Sequence, residues 1–174
     1  LDQMSYFIIA AAAGHDTTSG TIGAGMKALM GHPEQMAAWQ DNPEMDIDAA
    51  KELIRWTSPV RHMVRTATDE YELHGKTVQP GENIALWFPA ANRDPRVIQN
   101  PHQLDLMRDP KLHLAYGHGS HMCLGQHLAT LEVARFFREL LSRLDHIEMS
   151  QPPSWVQAIF VGGLKSMPVK YSFR

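Results

Sequence analysis

The ten residues Tyr116-Gly117-His118-Gly119-Ser120-His121-Met122-Cys123-Leu124-Gly125 constrain this chain more than any other stretch. Three glycines surround its only cysteine. Glycine adopts conformations closed to other residues and lets backbone approach a flat ligand closely. A helical period follows at once: Leu124, Leu128, Leu131, Ala134, Phe137, Leu141 and Leu144 step by three or four. This spacing predicts a long helix over residues 124–144 with Cys123 at its start. The free N–H groups and positive helix end found there favour a thiolate. A thiolate so held can bind haem iron and donate the electron density that favours O–O cleavage.

Two other readings of the same residues stand beside this one. A lone cysteine is often an inert, buried small hydrophobe. His118, His121, Cys123 and His127 also offer nitrogen and sulfur ligands that suit zinc. Zinc does not call for Gly117, Gly119 and Gly125, whereas a flat ligand does. One cysteine forms no internal disulfide, so a reducing cytoplasm is the simplest home.

The 174 residues have the length of one domain. A formal net charge of −3 gives no electrostatic footprint for nucleic acid or an anionic membrane. The longest apolar stretch, Tyr6 to Ala13, is far short of the ~20 residues that cross a bilayer. No basic segment precedes it as in a signal peptide. Leu1 is not an initiator, and helical sequence begins at once, which leads us to expect a fragment with exposed apolar surface and poor solubility.

The first helix is predicted over residues 2–29, interrupted where Gly14, Asp16, Thr17 and Thr18 weaken it. Pro33 suits the first turn of a second helix ending near Gln40. A third runs from Asp46 to Thr57, with Ile47, Ala50 and Ile54 on one face. Short strands and turns fill residues 60–86. Residues 92–114, rich in Pro, Asp, Asn and His, read as an irregular but packed loop. The tail from Trp155 suggests two strands around Gly162-Gly163. The fold class is therefore mainly α with small β-sheets.

The cysteine loop resembles the bacterial cytochrome P450 signature F-G-x-G-x-H-x-C-x-G-x-x-L-A. It matches at Gly117, Gly119, His121, Cys123, Gly125, Leu128 and Ala129, and departs at Tyr116, which stands where the family has phenylalanine. Ala12-Ala13-Gly14-His15-Asp16-Thr17-Thr18 is similar to the family's oxygen-activating groove, and Glu52-x-x-Arg55 to its Glu-x-x-Arg helix. The resemblance runs in order along residues 1–174, which it identifies as the C-terminal, haem-binding half of a single P450 domain. A complete P450 is more than twice as long. Residues 118–129, Phe136-Phe137 and Phe160-Val161-Gly162-Gly163 look most like bacterial members that hydroxylate monoterpenoids such as terpineol and camphor.

The resemblance implies a monooxygenase with haem b and O2. Cys123 would ligate the iron, with Tyr116, Gly117, Gly125 and Ala129 against the haem. The phenol of Tyr116 would shift its redox potential modestly. His121 would bond one haem propionate and Arg65 another, with Arg61 as the rival for that task. Asp16 and Thr17 would deliver protons. Glu52, Arg55 and Arg108 would form a structural charge cluster tying the third helix to the segment before the cysteine loop. Ile9, Ala13, Val60, Val64, Phe160 and Val161 would line a pocket for a small apolar substrate. Electrons would come from a ferredoxin and its NAD(P)H-dependent reductase, with Arg135, Arg138 and Lys111 as candidates for the docking face.

Overall fold

The computed structural model describes residues 2–109 and 113–174. Helix α1 covers Asp2–Met30, α2 Pro33–Asp41 and α3 Asp46–Thr57, with a 3₁₀ turn at Pro43–Met45 between the last two. Strands β1 (His62–Thr66), β2 (Tyr71–Leu73), β3 (Lys76–Val78) and β4 (Asn83–Trp87) follow, then the short α4 (Phe88–Ala91). After the irregular segment and a 3₁₀ turn at Gly119–His121 come α5 (Gln126–Arg143), β5 (Leu144–Met149), β6 (Ser154–Trp155), β7 (Leu164–Ser166) and β8 (Val169–Phe173). The strands form four antiparallel pairs: β1 with β4, β2 with β3, β5 with β8 and β6 with β7. The fold is mainly helical with small sheets.

The core forms where the C-terminal half of α1 crosses α3 and α5. Met26, Leu29, Ala49, Ala50, Leu53, Val133, Phe137 and Leu141 are buried there, with Trp39 of α2 stacked at 5.2 Å from the Phe137 ring. Gly25 allows this crossing, since a Cβ there would stand 3.0 Å from Leu53 Cδ1 and 3.4 Å from Phe137 Cζ. The irregular segment adds Ile98, Leu104 and Leu106 to the buried set, which explains why a stretch without period is nevertheless packed. Residues 2–16 of α1 remain exposed, Met4, Phe7 and Ile9 among them.

Three expectations need correction. Helix α1 is continuous through Gly14 to Thr18, because the Thr17 hydroxyl donates to the Ala13 carbonyl at 2.7 Å without opening the ladder. The last helix begins at Gln126, and its end passes directly into β5, a strand that the helical period concealed. The tail holds three strands in two sheets. Gly162 and Gly163 form no hairpin turn; they provide close approach. A Cβ on Gly163 would lie 3.3 Å from the Gly20 Cα in α1, and one on Gly162 would lie 2.5 Å from Arg61 Nε.

Candidate functional site

The cysteine loop is built by its own backbone. Gly117 and Gly119 take φ values of +74° and +75°, a region that side chains disfavour. Gly117 N–H donates to the Leu114 carbonyl at 2.9 Å, Met122 N–H to Gly119 at 3.0 Å, and Cys123 N–H to Tyr116 at 2.8 Å. These bonds close the loop and leave Cys123 exposed just before α5, whose N-cap is Gly125. The Cys123 carbonyl already accepts from Gln126 N–H at 3.4 Å.

The Gly125 backbone (φ −87°) suits any residue, and a Cβ there would meet nothing within 4 Å among the described residues. Neither backbone strain nor packing within the chain explains this glycine. Leu124 and Leu128 beside it are 89% and 61% exposed. An open apolar surface with a free sulfur and no Cβ in the way fits a flat, metal-centred group such as haem. Among the described residues, no group of three or more His, Cys, Asp or Glu side chains is placed to hold a metal ion. The His118, His121, Cys123 and His127 set is therefore not gathered for zinc: His118 and His121 project from an exposed 3₁₀ turn, His127 from the α5 surface.

Tyr116 is partly buried, and its Oη lies 2.8 Å from Thr130 Oγ1 on α5. Burial pushes its phenol pKa up. Ala129, half-buried, follows the open face of α5. His121 and Arg65 are both exposed; Arg65 donates to the Val64 carbonyl at 3.0 Å. Arg61 lays its guanidinium on Gly162, where its buried Nε finds no partner among the described residues.

Val60 and Val161 form a β-bridge, flanked by Arg61 N–H to Phe160 O and Gly162 N–H to Pro59 O, each at 2.8 Å. Val60, Phe160 and Val161 are thus brought together, with Val64 farther along β1. The Gly20 contact seats α1 against this loop, while Ile9, Ala13, Asp16 and Thr17 lie farther toward the helix N-terminus. Ile9, Ala13 and Asp16 are exposed; Thr17 is half-buried.

Glu52 and Arg55 are buried and paired through two hydrogen bonds of 2.7 Å. The remaining Arg55 donors reach the carbonyls of Asn92 (2.8 Å), Pro101 (3.0 Å) and Gln103 (3.3 Å). Glu52 also accepts from Asp105 N–H at 3.1 Å and from Arg108 Nε at 3.3 Å. Arg108 continues to the carbonyls of Gln99, Asn100 and Gln103. Arg138 needs correction as a docking residue: it forms an ion pair with Asp46 at 2.6 Å and donates to the Trp39 and Asn42 carbonyls. Arg135 is exposed, and Lys111 lies outside the described residues.

Two residues have roles that sequence reasoning did not assign. Asn92, fully buried, accepts from Leu114 N–H at 2.6 Å and donates to Ser58 Oγ at 2.9 Å, joining α3, α4 and the approach to the cysteine loop. His113 is the second. Burial lowers its pKa to about 4, and its Nδ1 accepts from Ala115 N–H at 3.2 Å. Because the folded value lies below the ordinary 6.5, the unfolded chain binds the proton first as pH falls. Stability is therefore lost between pH 6.5 and about 4. At pH 5 this loss amounts to about 2 kcal/mol. His113→Asn, which keeps an acceptor for Ala115, should remove that part of the loss when urea midpoints of the full-length protein are compared at pH 7 and 5. An unchanged pH dependence would refute the assignment.

The comparisons with known proteins agree with this geometry. The family model described as Cytochrome P450 matches residues 6–172. Cytochrome P450-terp of a Pseudomonas species is 44% identical over 168 residues, covering 97% of this chain and 39% of that protein. The methyl-branched lipid omega-hydroxylase of Mycobacterium tuberculosis is 37% identical, covering 97% of this chain and 40% of its own length. The solved structure of the Bacillus subtilis cytochrome P450 PksS superposes with a TM-score of 0.92 at 36% identity, over 97% of this chain and 44% of that one. The chain thus spans about two fifths of the length of these relatives. With the family model spanning nearly every residue and the cysteine loop shaped as described, the chain belongs to the cytochrome P450 family.

Proposed function

We propose that the protein containing this chain is a haem-thiolate monooxygenase that inserts one atom of O2 into an unactivated C–H bond of a small apolar substrate. The observation that supports this best is the exposed Cys123 beside Gly125, whose Cβ position is open space. Cys123 would hold the haem iron through its sulfur, with Tyr116, Gly117, Gly125 and Ala129 lining its site. His121 and Arg65, both exposed, would hold the propionates through charge-assisted hydrogen bonds. When bound, haem b supplies the redox chemistry that activates O2.

The chain's own residues govern protons and substrate. Thr17 Oγ1, now donating to Ala13 O, would turn its hydrogen toward the reacting oxygen and be reprotonated from the Asp16 side. Val60, Val64, Phe160 and Val161, together with Ile9 and Ala13 on α1, would offer apolar surface that suits an apolar substrate. A monoterpenoid is the class we favour, from the resemblance of the cysteine and tail motifs. A ferredoxin with an NAD(P)H-dependent reductase would deliver the two electrons, with Arg135 on the docking face. The proposed setting is the cytoplasm; among the described residues no helix is long and apolar enough to cross a membrane.

The test is turnover of the full-length, haem-loaded protein with a monoterpenoid panel under isotopically labelled O2. One labelled atom should appear in the hydroxylated product, and Thr17→Ala should lower product formed per electron consumed. Product oxygen drawn from water instead would overturn the reading.

A further inference from the structure

Strand β1 places a histidine among the apolar residues of the proposed pocket. Successive side chains of an extended chain point to opposite faces, so Val60, His62 and Val64 share one. His62 pairs with Trp87 of β4 across the antiparallel register, and their rings stand 4.9 Å apart. Phe160 meets the same imidazole edge-on at 6.0 Å. Trp87 and Phe160 are both exposed and His62 is half-buried, so the contacts hold the ring without closing it off.

One ring nitrogen is also engaged. His62 Nδ1 lies 3.2 Å from the carbonyl of Ile159, the residue before Phe160. A carbonyl only accepts, so Nδ1 carries the hydrogen of that bond. In the neutral imidazole the other nitrogen, Nε2, is then an acceptor. No group among the described residues donates to it. A lone acceptor on an apolar face discriminates between ligands of similar shape. A hydrocarbon laid over Nε2 strips its water and returns nothing, whereas a hydroxyl replaces that water with a direct bond. A ketone has no hydrogen to donate.

We infer that His62 is a specificity-determining residue: its Nε2 accepts a hydrogen bond from an O–H of the substrate, so that the pocket prefers an apolar alcohol to a hydrocarbon or ketone of similar size. This rests on the pocket reading proposed above and adds a hydroxyl to its substrate class.

The experiment measures dissociation constants of the full-length, haem-loaded protein for limonene, a monoterpene hydrocarbon, for the alcohol terpineol and for the ketone camphor. Binding is read both from the Soret shift and by calorimetry. His62→Phe keeps an aromatic ring between Trp87 and Phe160 but removes the acceptor. It should weaken terpineol roughly 3- to 10-fold, the scale of one neutral hydrogen bond, and leave limonene and camphor within about twofold of the parent. His62→Gln, which keeps an acceptor near the Nε2 position, should retain most of the terpineol affinity. Equal weakening of all three probes in His62→Phe would show a histidine that only packs, and would overturn the inference. Unchanged terpineol affinity in that variant, a selective loss of camphor, or a terpineol loss in His62→Gln as large as in His62→Phe would overturn it too. Each of these leaves the pocket reading standing. If none of the three binds the parent protein, the pocket reading falls, and this inference with it.

Discussion

Cys123→Ser should abolish the thiolate-type Soret band of the reduced, CO-treated, haem-loaded full-length protein and cut product formation by more than about 100-fold, the scale of losing one dominant electrostatic stabiliser. The reason lies in the ligand atom. A cysteine sulfur that coordinates a metal is held as the thiolate. A serine hydroxyl stays protonated and gives the iron little electron density, so the push that favours O–O cleavage is lost. The fold should survive, because Cys123 is exposed and its structural bond is made by its backbone N–H to Tyr116. Far-ultraviolet circular dichroism should therefore match the parent while the Soret band disappears. A thiolate-type band retained in the serine variant would show that another group holds the iron and would remove the central assignment.

What the sequence reveals is what is written locally. The cysteine loop is legible because its chemistry is confined to ten consecutive residues, and α5 because its apolar positions keep a helical step. The expected break in α1 fails for a physical reason. Gly14 and Thr17 have weak helix propensity, yet Thr17 bonds back to Ala13 inside a helix of 29 residues, and the surrounding ladder holds. Strand β5 is hidden because its partner β8 lies beyond two other strands, and no periodicity names a distant partner. Arg138 looks like any basic residue on a helix surface until the fold brings Asp46 to it from 92 residues away. Asn92 carries no period at all; its importance lies in three bonds that tie it to the end of α3, through Arg55 and Ser58, and to Leu114 ahead of the cysteine loop. Long-range polar contacts of this kind decide where the site is held, and they are what single-chain patterns omit.

The charge cluster behind the cysteine loop gives the largest expected stability effect. Arg55→Ala should lower the unfolding free energy of the full-length protein by about 3–5 kcal/mol, since it leaves the buried Glu52 carboxylate without its main partner. Against a total of roughly 5–15 kcal/mol for an ordinary domain, that is a large share. Arg55→Lys should recover little of it. The Arg55 guanidinium satisfies all of its donors at once, two on Glu52 and the others on the Asn92, Pro101 and Gln103 carbonyls. A lysine ammonium offers three donors at one point and cannot span that fork. The loss should also reach the site, because Asn92 links Arg55 through its carbonyl to Leu114 through its side chain, two residues before Tyr116. Haem occupancy should therefore fall together with the urea midpoint in both variants. If Arg55→Lys matched the parent in both, the cluster would be a simple charge pair and the fork geometry would carry no stability. If the midpoint fell while haem occupancy held, the cluster would support the core without positioning the cysteine loop, and the path through Asn92 would be refuted.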